Sequence, residues 1–180
     1  MMRFALLVRG INVGGKNKVV MAQLRQELTE LGFEQVETYI NSGNIFFTTD
    51  LSRSQLVECL SIFFETHYPF IERFSLLSRE DYEAECANLP QWWTEEMARK
   101  DVLFYTEGLD RESVEEKLLA LKLGDEVLHL GKTAVFWGKS SEESYAKTAY
   151  HKHLMKMPFY RQITIRNANT FDKIGRLLKK

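Results

Sequence analysis

One order of local patterns occurs twice in this chain of 180 residues, and few folds accommodate it. Residues 3–9 (RFALLVR) form a short, nearly continuous apolar run closed by Gly10, the pattern of a buried strand. Met21, Leu24, Leu28 and Leu31 follow at helical spacing, and Gly32 supplies a C-terminal stop. The β-rich runs VETYI and NIFFTT flank Asn41-Ser42-Gly43, a hairpin signal. Ser52 and Gln55 make a capping box for a helix carrying Leu56, Leu60, Phe63 and His67, which stops near Pro69. FIERFSLLS then reads as a strand.

After an acidic helical stretch and the connector NLPQWWTEE, the order returns. VLFYT is a strand, residues 111–122 a helix, and EVLHL with TAVFWG a hairpin around Gly131-Lys132. Residues 141–157 read as a helix, QITIR as a strand and 171–179 as a last helix. The predicted fold class is α+β: two tandem ferredoxin-like (β-α-β-β-α-β) repeats, residues 1–78 and 102–180. A helical linker spans 79–101, and a C-terminal helix closes the second repeat. The first strand of each repeat is apolar at nearly every position, so both faces of each sheet should be covered.

Topology then groups the polar loops. A right-handed crossover makes the first two strands parallel. The Arg9–Val19 loop and the Asn41–Asn44 hairpin therefore lie at one edge of the first sheet. By the same logic Gly138-Lys139-Ser140 and Arg166–Thr170 share one edge of the second.

The first loop, RGINVGGKNKV, is one residue short of a Gly-x4-Gly-Lys-Ser/Thr phosphate loop. Asn17 stands where the Mg²⁺-binding hydroxyl belongs, and the helical pattern begins several residues late, near Val20 or Met21. An NTPase loop is excluded on that context. Arg9, Lys16 and Lys18 still supply positive charge, and Gly10, Gly14 and Gly15 allow close backbone approach. Asn12, Asn41, Ser42 and Asn44 add neutral donors and acceptors. Two readings stay open: a site for an anionic or polar ligand, or glycines shaping a long turn whose polar side chains bond loop backbone.

At the second edge, GKSSEE pairs Ser140 as helix cap with Glu143, and two acids there would repel an anion. In RNANT, Asn169 or Thr170 reads as the cap of the last helix. Arg166 and Asn167 are then freer, with Arg166 suited to a bidentate carboxylate or phosphate grip.

Other chemistry is sparse. His151 and His153 are two apart on a helix and cannot chelate one metal together, and His67 and His129 have no partner in sequence. No Cys-x-x-Cys or Gly-x-Ser-x-Gly occurs. Ser42 has no neighbouring base and reads as a turn former. Phe46 and Phe47 are adjacent in their strand, hence on opposite faces, which disfavours base stacking on this sheet. Trp92 and Trp93 read as a packing wedge between the halves.

Net charge is −1 but unevenly spread. Residues 79–126 carry 6 Lys/Arg against 14 Asp/Glu, and residues 140–180 carry 9 against 3. That basic tail could attract polyanions or could be a solvated face. Apolar runs of five or six residues are far below the roughly 20 of a membrane span, and no signal peptide is read at MMRFALLVRG. Cys59 and Cys86 lie far apart in helical patterns, which suits a reduced cytoplasmic chain with unpaired thiols.

RGINVGGKNKV, MAQLRQELTELGF, TYINSGNIFF and RNANT together resemble the bacterial domain-of-unknown-function family 1697, over nearly the whole chain. Arg9, Gly10, Asn12, Gly14, Gly15, Lys16, Tyr39, Ser42, Gly43 and Asn44 match its N-terminal motifs. Arg166, Asn167, Asn169 and Thr170 match its C-terminal one. Val20 departs from a common proline, and Ala168 from a usual aromatic, which argues against stacking there. The resemblance implies a small cytoplasmic protein of two ferredoxin-like repeats and brings no catalytic residues with it.

The reading that emerges is a non-enzymatic binding protein for a small anionic or polar, nucleotide-like ligand. Its site residues are Arg9, Gly10, Asn12, Gly14, Gly15, Lys16, Tyr39, Asn41, Ser42 and Asn44, with Arg166 and Asn167 from the second cluster. The alternatives are a nucleic-acid-binding module using the basic C-terminal region, and an enzyme acting on a phosphorylated substrate. No cofactor, metal or membrane partner is expected, and the chain suits a monomer or a homodimer.

Overall fold

The computed structural model describes residues 1–142 and 145–180. The chain divides into two compact units, one of Met1–Tyr82 with Ile174–Lys180 and one of Glu83–Lys173. Each is built on a four-stranded sheet whose neighbouring strands are all antiparallel. Six α-helices complete this α+β fold among the described residues.

In the first unit the order is β1 (Met2–Leu7), α1 (Met21–Glu30), β2 (Glu34–Tyr39), β3 (Asn44–Thr49), α2 (Arg53–His67) and β4 (Ser75–Ser78). The sheet runs β2-β3-β1-β4. β1 is therefore interior, which is why it is apolar on both faces. Phe4 and Leu6 join Ile45, Phe47 and Leu76 in a core closed by Leu24 and Leu28 of α1 and Leu56, Leu60, Phe63 and Phe64 of α2. Ala5, Leu7, Phe46 and Leu77, on the opposite face, are buried as well.

Local signals set the ends of these elements. α1 starts without a side-chain cap at Val20, and Gly32 ends its last turn with φ +98°. The Ser52–Gln55 capping box is complete at the start of α2. β4 is shorter than the sequence pattern. Only Ser75–Ser78 pair with β1, against Phe4–Leu7, and Gly10 (φ +69°) soon turns the chain away from the ladder. Ile71 and Phe74 serve the core from outside any strand.

After α3 (Arg79–Ala87) the second unit contains β5 (Arg99–Tyr105), α4 (Arg111–Leu119), β6 (Glu126–Leu130), β7 (Ala134–Lys139), α5 (Ala149–His153) and β8 (Ile163–Asn167). The chain ends in α6 (Ala168–Leu178). The second sheet runs β6-β7-β5-β8. Leu103, Val135, Trp137 and Ile163 pack with Val114 and Leu118 of α4 and with Ala149, Leu154 and Phe159. On the other face the Trp93 ring meets those of Phe136 at 5.1 Å and Phe171 at 5.9 Å.

Two helices differ from their sequence patterns. The continuous helix expected over 141–157 is broken into a 3-10 turn at Tyr145–Lys147, the short α5, and a second 3-10 turn at Leu154–Lys156. Thr148 restarts it: its hydroxyl donates to the Tyr145 carbonyl at 2.6 Å and accepts from His151 N at 3.1 Å. The expected Ser140–Glu143 capping box falls outside the described residues at Glu143; the Ser140 hydroxyl donates to the Asp125 carbonyl at 2.9 Å. α6 begins three residues earlier than expected. Its cap is Asn167, whose Oδ1 accepts from Thr170 N at 2.8 Å, rather than Asn169 or Thr170.

Candidate functional site

The glycine-rich loop is a structured hairpin rather than a loose connection. Gly14 and Gly15 both have positive φ (+58° and +75°), and Lys16 N donates to the Val13 carbonyl at 3.0 Å. Two central residues of that sign make a tight hairpin turn that non-glycine residues adopt poorly. Asn12 N donates to Asn17 O at 3.1 Å and continues the small ladder. Asn12 and Asn17 also have positive φ, both +54°, a conformation asparagine tolerates better than most residues.

The asparagine amides tie the loops together. Asn12 Nδ2 donates to Val19 O at 3.1 Å and Asn41 O at 3.0 Å, while its Oδ1 accepts from Val19 N at 2.8 Å. Asn17 Nδ2 donates to Gly10 O at 2.9 Å. Asn44, fully buried, donates to Tyr39 O at 3.1 Å and to Ser42 Oγ at 3.3 Å. Val8 N donates to Gly43 O at 3.0 Å. The two loops that topology assigned to one edge are thus bonded into one piece.

The surface of that piece is basic with aliphatic neighbours. Lys16 and Lys18 are exposed and Arg9 is half-buried. Neither residues 9–19 nor 40–44 contain an acid. Val13 is 66% exposed and Ile40 53%. Ile40 holds φ +51°, an outlier for a β-branched residue, and such strain persists only where its surroundings enforce it.

The second predicted cluster is differently placed. Arg166 and Asn167 are consecutive in β8, so they face opposite sides of the sheet. Arg166 pairs across the ladder with Val102, is only 8% exposed, and donates to the Ile165 carbonyl at 2.9 Å. Burial pushes its guanidinium below the usual arginine range. Asn167 pairs with Asp101 and caps α6. Arg166 is therefore not displayed to solvent as the free grip that its motif suggested.

Lys139, grouped in sequence with the polar loop at this edge, is instead a buried residue of β7, and its partner and the nearby Glu126 escaped the sequence reading. Lys139 is fully buried, with Nζ 2.5 Å from Asp101 Oδ2. Buried Glu126 accepts from Trp137 Nε1 at 2.7 Å, Ala149 N at 2.6 Å and Tyr150 N at 3.4 Å. The signal was present: strand alternation puts Lys139 on the inward face with Val135 and Trp137. Elsewhere His67 Nδ1 lies 3.4 Å from Glu27 Oε2, a partner no sequence spacing indicated. Cys59 and Cys86 take part in no disulfide. Among the described residues, no group of three or more His, Cys, Asp or Glu converges as a metal set, and no helix is long and apolar enough to cross a membrane.

Residues 1–136 match the model of a family described as protein of unknown function (DUF1697). The chain is also similar to a solved structure of a conserved bacterial protein from Streptococcus pneumoniae. The two are 69% identical, with 98% of each chain covered and a TM-score of 0.97. No curated protein matches the chain.

Proposed function

The chain belongs to the bacterial family of proteins of unknown function DUF1697, and from that premise we propose that it is a non-enzymatic binding protein for a small anionic or polar ligand. The site is the first-unit loop piece, with Arg9, Lys16 and Lys18 supplying charge and Gly14-Gly15 the close approach. The observation that carries this reading is the Asn12 side chain. By bonding Val19 and Asn41 together it holds an acid-free, three-cation surface in one conformation before any ligand arrives. Preorganisation of this kind lowers the ordering cost of binding. Asn12, Asn17 and Asn44 support the site from within, and the ligand contacts fall to the lysines and the exposed backbone.

We read the two units as ferredoxin-like repeats joined by the helical segment 79–101. The matching strand orders β2-β3-β1-β4 and β6-β7-β5-β8 support this. Two cysteines outside any disulfide support a cytoplasmic setting.

Thermal melts of the full chain with inorganic phosphate, pyrophosphate and ATP test the reading. At least one anion should raise Tm in a concentration-dependent way, since binding to the folded state alone stabilises it. Lys16→Gln combined with Lys18→Gln should abolish most of that rise while leaving the ligand-free Tm unchanged. No shift with any of the anions, or an equal shift in the variant, removes the proposal. Tight, steeply salt-dependent binding of mixed-sequence single-stranded DNA instead would favour the polyanion reading of the basic C-terminal region.

A further inference from the structure

The second unit buries a lysine completely, and the reason lies at its rim. Lys139 Nζ is 2.5 Å from Asp101 Oδ2 and 3.2 Å from the centre of the Tyr150 ring. Folding alone gives little reason for such a pair, because apolar side chains of the same shape serve as well or better. Asp101 is the member that reaches outside. It lines an open depression of about 400 Å³ at the end of the second sheet, with Arg99, Lys100, Asn167 and Asn169. That volume falls within the roughly 300–1,000 Å³ of small-molecule sites, although the lining here is polar.

Hydrogen-bond accounting defines the guest. A carboxylate offers about four acceptor positions. Lys139 occupies one, which fixes the group and leaves acceptor capacity for a ligand. Asn167 is the residue opposite Asp101 across the β5–β8 ladder, so their side chains start from one face about 4.5–5.5 Å apart. Because Asn167 Oδ1 is engaged by Thr170 N, its NH2 group is left as the donor. Arg99 and Lys100 do not make this an anion pocket: Arg99 binds Glu142 at 3.2 Å, and Lys100 binds the Trp93 and Glu95 carbonyls. A fixed carboxylate acceptor beside an amide donor suits two neighbouring hydroxyls, one donating to Asp101 and one accepting from Asn167. A bare anion would be repelled by Asp101, and an apolar guest would leave both groups unsatisfied.

We propose that this depression is a second ligand site, independent of the first-unit loops, which takes a sugar or ribosyl group through a vicinal diol held by Asp101 and Asn167. Lys139, packed on the Tyr150 ring, acts as the positioning residue for the carboxylate.

Titration of the 15N-labelled full chain with methyl β-D-ribofuranoside and its 2-deoxy counterpart tests this. The diol probe should move the amide signals of Asp101, Val102 and Asn167–Asn169 saturably, and the deoxy probe should bind at least about tenfold more weakly. Asp101→Asn should weaken diol binding by a similar factor. That variant strands Lys139, so a second one, Asp101→Asn with Lys139→Met, removes both charges. It should melt at or above wild type, as replaced buried pairs often do, and still bind weakly. No movement of these signals, equal affinity for the two probes, or undiminished binding by the double variant overturns the proposal.

Discussion

Gly43 shows how closely the loop piece is packed. A Cβ added there would overlap Val8 Cγ2 and lie 3.0 Å from the Val8 carbonyl oxygen, and φ is +97°. Gly43→Ala should therefore lower stability by about 2 kcal/mol or more, from strain and overlap together. Gly14→Ala, with the same sign of φ but open space around it, should cost only about 1 kcal/mol. Urea melts of the two variants check the order. Ile40 runs the other way: Ile40→Asn should raise stability by about 1 kcal/mol by relieving a β-branched residue at φ +51°. The glycines and asparagines were legible as turn formers because their conformational preferences are local. Which carbonyl each amide reaches was not legible, since Asn12 and Asn41 are 29 residues apart.

Elements began where caps were written in sequence and faltered where caps came from afar. The Ser52–Gln55 box is wholly local, and Ser52→Ala should cost about 1 kcal/mol in the same melts. α5 adds to its local Thr148 cap the buried Glu126, more than twenty residues upstream, which receives the N–H groups of Ala149 and Tyr150 as well as the Trp137 indole. Glu126→Ala leaves those donors without an acceptor and should cost about 3 kcal/mol or more. Glu126→Gln, which keeps a carbonyl oxygen, should cost clearly less. Periodicity alone extended this helix over 141–157 because apolar spacing registers neither the restart at Thr148 nor a carboxylate supplied by another strand. β4 was overextended for a related reason, since a strand is only as long as its partner.

For the whole chain, sequence order and spatial membership differ at the C-terminus. Ile174–Lys180 belong with Met1–Tyr82. Arg3, whose side chain is 7% exposed, donates from Nε to the Leu177 carbonyl at 2.7 Å, and Lys180 Nζ reaches Glu37 at 3.1 Å. Gly175 allows the Tyr82 ring to lie against the helix. Removing residues 174–180 should therefore strip hydrogen-exchange protection from β1 and β2, far away in sequence, because the buried Arg3 guanidinium loses the acceptor of its Nε–H. Retained protection in both strands would refute this dependence. By itself the sequence determined the order of the strands, the helix start at Ser52–Gln55 and the stop at Gly32, and the pairing of two polar loops at one sheet edge, because periodicity, capping and turn chemistry act over a few residues. Only the tertiary structure decided which carbonyls the loop asparagines bond, that Lys139 meets Asp101, and that the last residues complete the first unit. Each of those rests on contacts between groups that the chain brings together only on folding.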